Sequence, residues 1–109
     1  MEIDLPEKRY YKIGEVAKAF DVNTSLIRFW EKEFDIIQPK KNGKGDRMFT
    51  PVDIKNFRLI YHLVKEKGFT LDGAKKKLLA EPEATKNNLE IIERLEKVKA
   101  ELLKIKNEL

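Results

Sequence analysis

Two short stretches near the N-terminus carry apolar residues at the spacing of an α-helix. In residues 13–20 the spacing i, i+3, i+4, i+7 places an apolar stripe on one face. The members of that stripe are Ile13, Val16, Ala17 and Phe20. In residues 24–34 the matching stripe consists of Ile27, Trp30 and Phe34. The pattern predicts two helices joined by a tight corner at residues 21–23, with Asn23 as the N-cap of the second helix.

The second predicted helix carries polar side chains on the face opposite its apolar stripe. These side chains belong to Thr24, Ser25, Arg28 and Lys32. Two short helices at a tight corner, the second with small hydroxyls and an arginine facing outward, form the pattern of a helix-turn-helix. An ordinary helical hairpin would show the same apolar stripes. The two helices alone therefore leave both interpretations open.

A basic hairpin is predicted directly after the second helix, over residues 38–49. Residues that favour turns, Asn42, Gly43 and Gly45, lie at its centre. Its charged residues are Lys40, Lys41, Lys44 and Arg47 against Asp46 alone. Such an excess of positive charge on a protruding loop suits a phosphate backbone, although most lysine clusters are simply solvated. Its position after a candidate recognition helix favours nucleic-acid contact.

Two further helices are predicted in the middle of the chain. The third begins after the N-cap Thr50 and ends at Gly68, with Phe49 anchoring the hairpin before it. Its core face consists of Ile54, Phe57, Ile60, Tyr61 and Val64. The fourth is capped by Thr70 and has Leu71, Ala74 and Leu78 facing inward. Its Lys75, Lys76 and Lys77 either extend a DNA footprint or only solvate the helix, and the sequence leaves both open. His62 has no partner at metal spacing, so we expect it at the surface or half-buried, without a function.

The chain beyond Glu81-Pro82-Glu83 follows a heptad pattern. One heptad position holds Asn88, Leu95, Leu102 and Leu109, and the other holds Ile91, Val98 and Ile105. A seam of about three heptads is typical of a dimerisation helix, and the alternative is a helix folded back onto its own domain. The charges beside the seam do not decide its orientation. The predicted dimerisation residues are Ile91, Leu95, Val98, Leu102, Ile105 and Leu109.

Composition narrows the class of protein. The chain has 109 residues, of which 39% are charged, and a net charge of +4, which favours a polyanionic partner. It contains no cysteine, which excludes disulfides, thiolate metal sites and cysteine nucleophiles. No apolar run approaches the length that spans a bilayer, and the acidic N-terminus is unlike a signal peptide. There is no catalytic constellation. We therefore expect a cytoplasmic protein that is not an enzyme, needs no cofactor or metal and does not bind a membrane.

Four short blocks of sequence lie at residues 11–17, 26–31, 46–50 and 67–71. In their order and spacing, over about residues 11 to 80, they resemble the MerR family of bacterial transcription regulators. The resemblance implies a winged helix-turn-helix that binds a pseudo-palindromic promoter element as a dimer, with RNA polymerase as a candidate further partner. It also implies an antiparallel pair of C-terminal helices and a place in the bacterial nucleoid. Family members usually carry an effector-binding domain, and the sequence leaves open whether one belongs to this protein.

We expect different roles for individual residues of the predicted interface. Arg28 is the candidate for reading a base edge, because a guanidinium can pair bidentately with guanine, and the alternative is a salt bridge with Glu31. Arg47 matches the family's wing arginine, and the resemblance implies that it contacts the DNA backbone or minor groove. Phe29 stands where family members often carry a tyrosine and lacks the hydroxyl that could reach a phosphate. Trp30 is expected to anchor the core. The predicted DNA-binding residues are Thr24, Ser25, Arg28, Lys32, Lys40, Lys41, Lys44 and Arg47.

The sequence thus predicts a mainly α fold in three parts. Residues 1–10 form a flexible or loosely docked lead-in, residues 11–80 a winged helix-turn-helix DNA-binding domain, and residues 83–109 a coiled-coil dimerisation helix. The expected function is sequence-specific regulation of transcription on double-stranded DNA as a homodimer. The alternatives are an architectural or chromosome-anchoring DNA-binding protein with little sequence preference, and a coiled-coil adaptor whose basic surface is incidental.

Overall fold

The computed structural model describes residues 3–108 of the chain. It is mainly helical, with one short antiparallel hairpin. The elements are α1 (Ile13–Phe20), α2 (Thr24–Glu33), β1 (Lys40–Lys41), β2 (Arg47–Met48), α3 (Pro51–Tyr61), a π-helical turn (His62–Glu66), α4 (Leu71–Ala80) and α5 (Pro82–Glu108). Within the described range, none of the helices combines the length and apolarity that crossing a membrane requires.

The apolar stripes of α1 and α2 face each other and form the core with α3. Trp30 is 1% exposed, which confirms its expected role as a core anchor. Phe49 is fully buried and packs edge-on against Phe57, with ring centroids 5.4 Å apart, so the hairpin is anchored as expected. Phe20 packs against the other side of Phe57, at 6.3 Å. Burial of this stripe fixes the opposite face of α2 toward solvent.

The corner between α1 and α2 is closed by backbone groups rather than by the predicted side-chain cap. Asp21 adopts a left-handed conformation with φ 54°, and its N–H donates to the carbonyl of Lys18. Asn23 is the N-cap residue, as predicted, but its side chain makes no capping hydrogen bond. The carbonyl of Asn23 accepts from the N–H groups of Leu26 and Ile27 instead, at 3.1 and 3.4 Å. Those donors of the first turn are therefore already paired.

The start of α3 ties the loop after α2 to the hairpin. The hydroxyl of Thr50 accepts from the N–H of Asp53, which confirms Thr50 as the N-cap. The Asp53 carboxylate is 2% exposed and accepts from the N–H groups of Thr50 and Gln38, both at 3.0 Å. Thr70 caps α4 in the same way, because its hydroxyl accepts from the N–H of Gly73.

The helix predicted to run to Gly68 changes from α-helical to π-helical winding before it ends. The α-helix stops at Tyr61 and continues as the π-helical turn, in which His62 Nδ1 lies 3.1 Å from Glu66 Oε1. His62 is only 5% exposed, so the expectation of a surface or half-buried histidine is wrong. Leu63, which was not predicted in the core, is buried where the turn lies against α4. Ile54, Tyr61 and Val64 are only partly buried.

The wing is a small hairpin that a third strand-like residue supports. Lys40 pairs with Met48 and Lys41 with Arg47, which leaves a five-residue loop at 42–46. The left-handed residue in that loop is Gly45, with φ 80°. Tyr11 forms an antiparallel bridge with Phe49, through N–H to carbonyl bonds of 2.8 and 2.9 Å. The wing is therefore fixed to the chain just before α1.

The described part of the lead-in is docked through the side chain of Tyr11. The Tyr11 ring is 6% exposed, and its hydroxyl donates to the carbonyl of Pro6 and accepts from the N–H of Lys8. Ile3 and Leu5 are partly buried against the core. These contacts place the lead-in beside the wing and the start of α1.

Candidate nucleic-acid interface

The outer face of α2 presents the polar residues that the sequence predicted. Ser25, Arg28 and Lys32 are exposed, and Thr24 is partly exposed. Phe29 lies among them with 45% of its surface exposed. Because Ile27 and Trp30 are buried on the opposite side, this face cannot turn inward without opening the core. The recognition face is thus available to a large partner.

Arg28 is not held by an internal ion pair. The alternative role predicted for it was a salt bridge with Glu31, but Glu31 accepts from Arg47 Nε at 2.7 Å instead. Across residues 3–108, Arg28 has no ion-pair or hydrogen-bond partner on its side chain. An exposed guanidinium without a partner keeps all its donors for a ligand.

Arg47 joins the wing to the recognition helix. Its side chain is 34% exposed, and the carboxylate of Glu31 that it contacts is 18% exposed. This pair spans sixteen positions in the sequence, so helical spacing could not reveal it. Arg47 therefore fixes the position of the wing, while its contact with DNA stays a prediction.

The loop of the wing is organised by Asn42 and presents the lysines. The Asn42 side-chain oxygen accepts from the N–H groups of Lys44 and Asp46, at 2.9 and 3.1 Å. Lys40, Lys41 and Lys44 are all exposed. The Asp46 carboxylate accepts a hydrogen bond from the side-chain amide of Asn42, at 3.4 Å, and so stabilises the turn. Lys40 lies 6.0 Å from the centre of the Tyr10 ring, and all three wing lysines are exposed where an anion can reach them.

A cleft of about 870 Å³ is lined by the wing and by the segment that leads into α1, and α2 contributes Arg28 to it. Of the predicted residues it brings together Arg28, Lys44 and Arg47, whereas the others lie outside its lining. Those others are Thr24, Ser25, Lys32, Lys40 and Lys41. Two further basic residues, Lys8 and Lys12, line the same cleft and were missed. The pairing of Tyr11 with Phe49 carries them there, and no local pattern in the sequence signals that contact.

The basic residues of the cleft differ in whether a carboxylate of the protein pairs with their charge. Lys8 donates to Glu15 at 2.7 Å, and this hydrogen bond is the main cause that lowers the pKa of Glu15. The backbone N–H of Lys12 donates to the other oxygen of Glu15, at 3.2 Å, which forms half of a capping box. The side chain of Lys12 is exposed and has no ion-pair partner in the range 3–108. Positive charge therefore remains available on both sides of the cleft.

Two of the three consecutive lysines of α4 form ion pairs with carboxylates of the protein. Lys75 donates to Glu33 at 2.7 Å, and that hydrogen bond raises the pKa of Lys75 and lowers that of Glu33. Lys77 pairs with Glu81 one turn later. Only Lys76 of this group is exposed without an ion pair among the described residues. The ion pairs favour a structural role for Lys75 and Lys77 over a DNA footprint.

The helix–corner–helix unit with a basic hairpin behind it makes this chain a winged helix-turn-helix protein. Residues 11–81, which are more than half of the chain, match the family model described as MerR HTH family regulatory protein. The chain therefore belongs to the MerR family of helix-turn-helix regulatory proteins, as its sequence blocks indicated.

Curated relatives carry names of the same family. The chain is 31% identical over 68 residues to the HTH-type transcriptional regulator ZntR of Escherichia coli, covering 62% of this chain and 48% of ZntR. It is 34% identical over 68 residues to the mercuric resistance operon regulatory protein of Bacillus cereus, covering 62% and 51%. It is 36% identical over 50 residues to the regulator MlrA of Escherichia coli, covering 46% and 21%. The chain thus spans between about a fifth and about half of the length of these relatives.

Solved structures share the fold along most of the chain. A MerR family transcriptional regulator from Bacillus thuringiensis superimposes with a TM-score of 0.51 and 28% identity, covering 87% of this chain and 98% of that one. HiNmlR, described as a MerR family regulator lacking the sensor domain and bound to promoter DNA, gives a TM-score of 0.55 at 21% identity, covering 89% and 86%. These likenesses extend beyond the winged domain into the long helix.

The C-terminal helix leaves its predicted seam uncovered. Thr85 and Leu89 are buried against the domain, but residues 94–108 are exposed throughout. The seam residues in the described range are between 52% and 64% exposed, and these are Ile91, Leu95, Val98, Leu102 and Ile105. Leu109, the last predicted member, lies outside the described residues. The helix is not folded back along this stripe.

Proposed function

We propose that this protein is a sequence-specific DNA-binding transcription regulator that binds a pseudo-palindromic promoter element as a homodimer. The observation that carries the proposal is the cleft beside the wing, whose lining brings the unpaired Arg28 of α2 together with Lys44 and Arg47. A helix that enters a major groove and a wing that reaches the next minor groove have one sugar–phosphate strand between them. The cleft brings cations of α2 and of the wing together beside that path.

The outer face of α2 supports reading of bases rather than backbone contact alone. Arg28 can pair bidentately with the O6 and N7 atoms of guanine, and the hydroxyl of Ser25 can reach either type of base edge. Both side chains are exposed on the face that the core stripe turns outward. HiNmlR, which shares the fold, is described as bound to promoter DNA. Direct readout by α2 therefore favours a regulator over an architectural protein.

Dimerisation is proposed from the exposed seam of α5. Five seam residues in the described range are more than half exposed, although residues of this kind are normally buried in a soluble monomer. Pairing with a second copy along the heptad seam would cover them and hold two recognition helices on successive major grooves. In this role the dimer acts on RNA polymerase at a promoter in the bacterial nucleoid, and it involves no catalytic step of its own.

Selection of preferred sites from a random duplex pool tests the function. We expect the full chain to enrich a palindrome with two half-sites about one helical turn or a multiple of it apart. Titrations of the enriched and a scrambled duplex at two salt concentrations complete the test. A preference of the order of a thousandfold or more for the enriched duplex supports a regulator. Equal affinity for both duplexes contradicts sequence-specific regulation and favours the architectural alternative, and weak binding to both favours the adaptor.

A further inference from the structure

A buried cluster of charges lies where α5 leaves the DNA-binding domain. Arg58 of α3 is 6% exposed, and its Nη1 donates to Glu66 Oε1 at 2.8 Å. The same Glu66 oxygen lies 3.1 Å from His62 Nδ1, so the π-helical turn holds both groups. The guanidinium also lies 6.0 Å from the centre of the Tyr61 ring. These contacts make Arg58 a fixed positive group of the domain.

The cluster reaches α5 through Glu93. Glu93 Oε1 lies 3.8 Å from Arg58 Nε, which is a charge contact rather than a hydrogen bond. Among the described residues, Arg58 Nε and Nη2 are buried without a hydrogen-bond partner. The guanidinium therefore keeps two donors on which a carboxylate from α5 can act. Water partly screens this attraction, because the Glu93 side chain is 42% exposed whereas that of Arg58 is 7% exposed.

Because a long part of α5 follows Glu93, a small rotation of the helix at this residue displaces its far end by several ångströms. Glu93 is half-buried, and the fifteen residues after it in the described range, 94–108, are exposed. At 1.5 Å per residue this protruding part is about 23 Å long, so a swing of about 10° at Glu93 displaces its end by about 4 Å. One base pair of DNA rises about 3.4 Å. A small change at the contact therefore moves the end of α5 by a distance comparable to the rise of one base pair.

We infer that the Arg58–Glu93 contact fixes the direction in which α5 leaves the domain and so selects the spacing of half-sites that the dimer binds. Glu93 is a positioning residue, since it lies on α5 and touches no part of the recognition face. The inference rests on the proposed function, because spacing has meaning only for a dimer on a palindrome. It adds to that function the residue pair that sets which spacing of half-sites the dimer prefers.

The test compares charge reversal at two positions of the same helix. Glu93→Lys places a cation against Arg58, whereas Glu90→Lys makes the same change in net charge one turn earlier, at an exposed residue without a described ion pair. Both variants and the wild type are titrated on duplexes that carry the selected half-sites at spacings varied one base pair at a time. A duplex with a single half-site measures binding by the domain alone.

We expect wild type and Glu90→Lys to prefer the same spacing. For Glu93→Lys the preference should move by one base pair, or the ratio of affinities between the best spacing and the next should fall by at least about threefold. Binding to the single half-site should match that of Glu90→Lys. The milder Glu93→Gln, which leaves the Arg58–Glu66 pair intact, should fall between wild type and Glu93→Lys and unfold at the wild-type temperature.

Three results overturn the inference. One is a Glu93→Lys variant with the wild-type spacing profile. Another is a loss on the single half-site as large as that on the palindrome, which would assign Glu93 to the stability of the domain. A third is the same altered profile for Glu90→Lys, which would make net charge the cause. A wild-type chain that prefers no palindrome at any spacing contradicts the proposed function itself, and the inference with it.

Discussion

Arg28 and Arg47 line the same cleft, but in the described range an ion pair holds Arg47 and none holds Arg28. Helical spacing placed Arg28 outward, and the structure leaves it exposed and unpaired among the described residues. The tie between Arg47 and Glu31 depends on how the wing folds back on α2, and nothing in the local sequence encodes that approach. The outward face of a helix could therefore be predicted residue by residue, whereas the ion pair between two elements could not. The same limit explains why Lys8 and Lys12 were missed.

Replacement of Arg28 tests its role as a base reader. Arg28→Ala should cost about 1–3 kcal/mol on the preferred duplex and relax the preference at one base position, because bidentate pairing with a single base is lost. Titration of duplexes changed one base pair at a time measures both effects. The matched control is Lys41→Ala in the wing, which should weaken every duplex alike and lower the salt slope by about one. An equal loss on every duplex for Arg28→Ala would remove it from base readout.

Helix starts show which parts of an element the sequence specifies. Thr50 and Thr70 cap their helices as predicted, because threonine followed by the N–H of the third helical residue is a local arrangement. Asn23 also lies at an N-cap, but its side chain makes no capping hydrogen bond, and its carbonyl accepts instead from the N–H of Leu26, the third helical residue. The π-helical turn and the burial of His62 left no sign in the apolar spacing. A local motif predicts a cap only where no other partner reaches the donors first.

Asp53 should contribute more to stability than an ordinary helix-start carboxylate. Asp53→Ala leaves the N–H groups of Thr50 and Gln38 without their acceptor, and we expect the free energy of unfolding to fall by about 2–4 kcal/mol. The control is Asp72→Ala in the first turn of α4, which is exposed and should cost about 0.5 kcal/mol through the helix dipole. Urea unfolding of both variants measures the difference. Equal losses would show that the bridging role of Asp53 is not important.

The π-helical turn should make stability depend on acid pH. Burial alone would raise the pKa of Glu66, but the hydrogen bonds from Arg58 and His62 outweigh it and hold that pKa below its ordinary value of 4.5. A carboxylate with a lowered folded-state pKa stabilises the fold above its unfolded value, and the benefit is lost as pH falls through the folded value. The melting temperature of Glu66→Gln should therefore be lower than that of wild type at neutral pH.

The pH profile supplies the decisive comparison for Glu66. Between pH 7 and about pH 3 the gap in melting temperature between wild type and Glu66→Gln should narrow, because wild type loses the charge that the variant already lacks. Glu90→Gln changes an exposed carboxylate without a described ion pair and should follow wild type at each pH. A gap that stays constant down to pH 3 would mean that the charge of Glu66 is not what stabilises the turn.

At the scale of the whole molecule, α5 has one face that is buried against its own domain and one that is exposed. Thr85 and Leu89 are buried against the protein's own domain, while the seam from Ile91 to Ile105 is exposed. The heptad pattern predicted the seam because its period is a property of one helix. It could not predict the contacts of Thr85 and Leu89, which depend on where α3 and α4 lie. The molecule measures 54 × 31 × 22 Å, and its long dimension suits a helix that extends toward a second copy.

Neighbouring leucines of α5 offer a matched test of the dimer. Leu102 lies on the predicted seam and is 61% exposed, whereas Leu103 lies beside the seam and is 50% exposed. Leu102→Glu should raise the dissociation constant of the dimer by more than about tenfold, because pairing would bury a carboxylate in the apolar seam at each of the two equivalent positions. Leu103→Glu makes the same chemical change away from the contact and should leave the dimer nearly intact. Sedimentation equilibrium over a range of concentrations measures both constants, and a wild-type chain that is monomeric at the highest concentration, or equal weakening by the two substitutions, would rule out pairing along this seam.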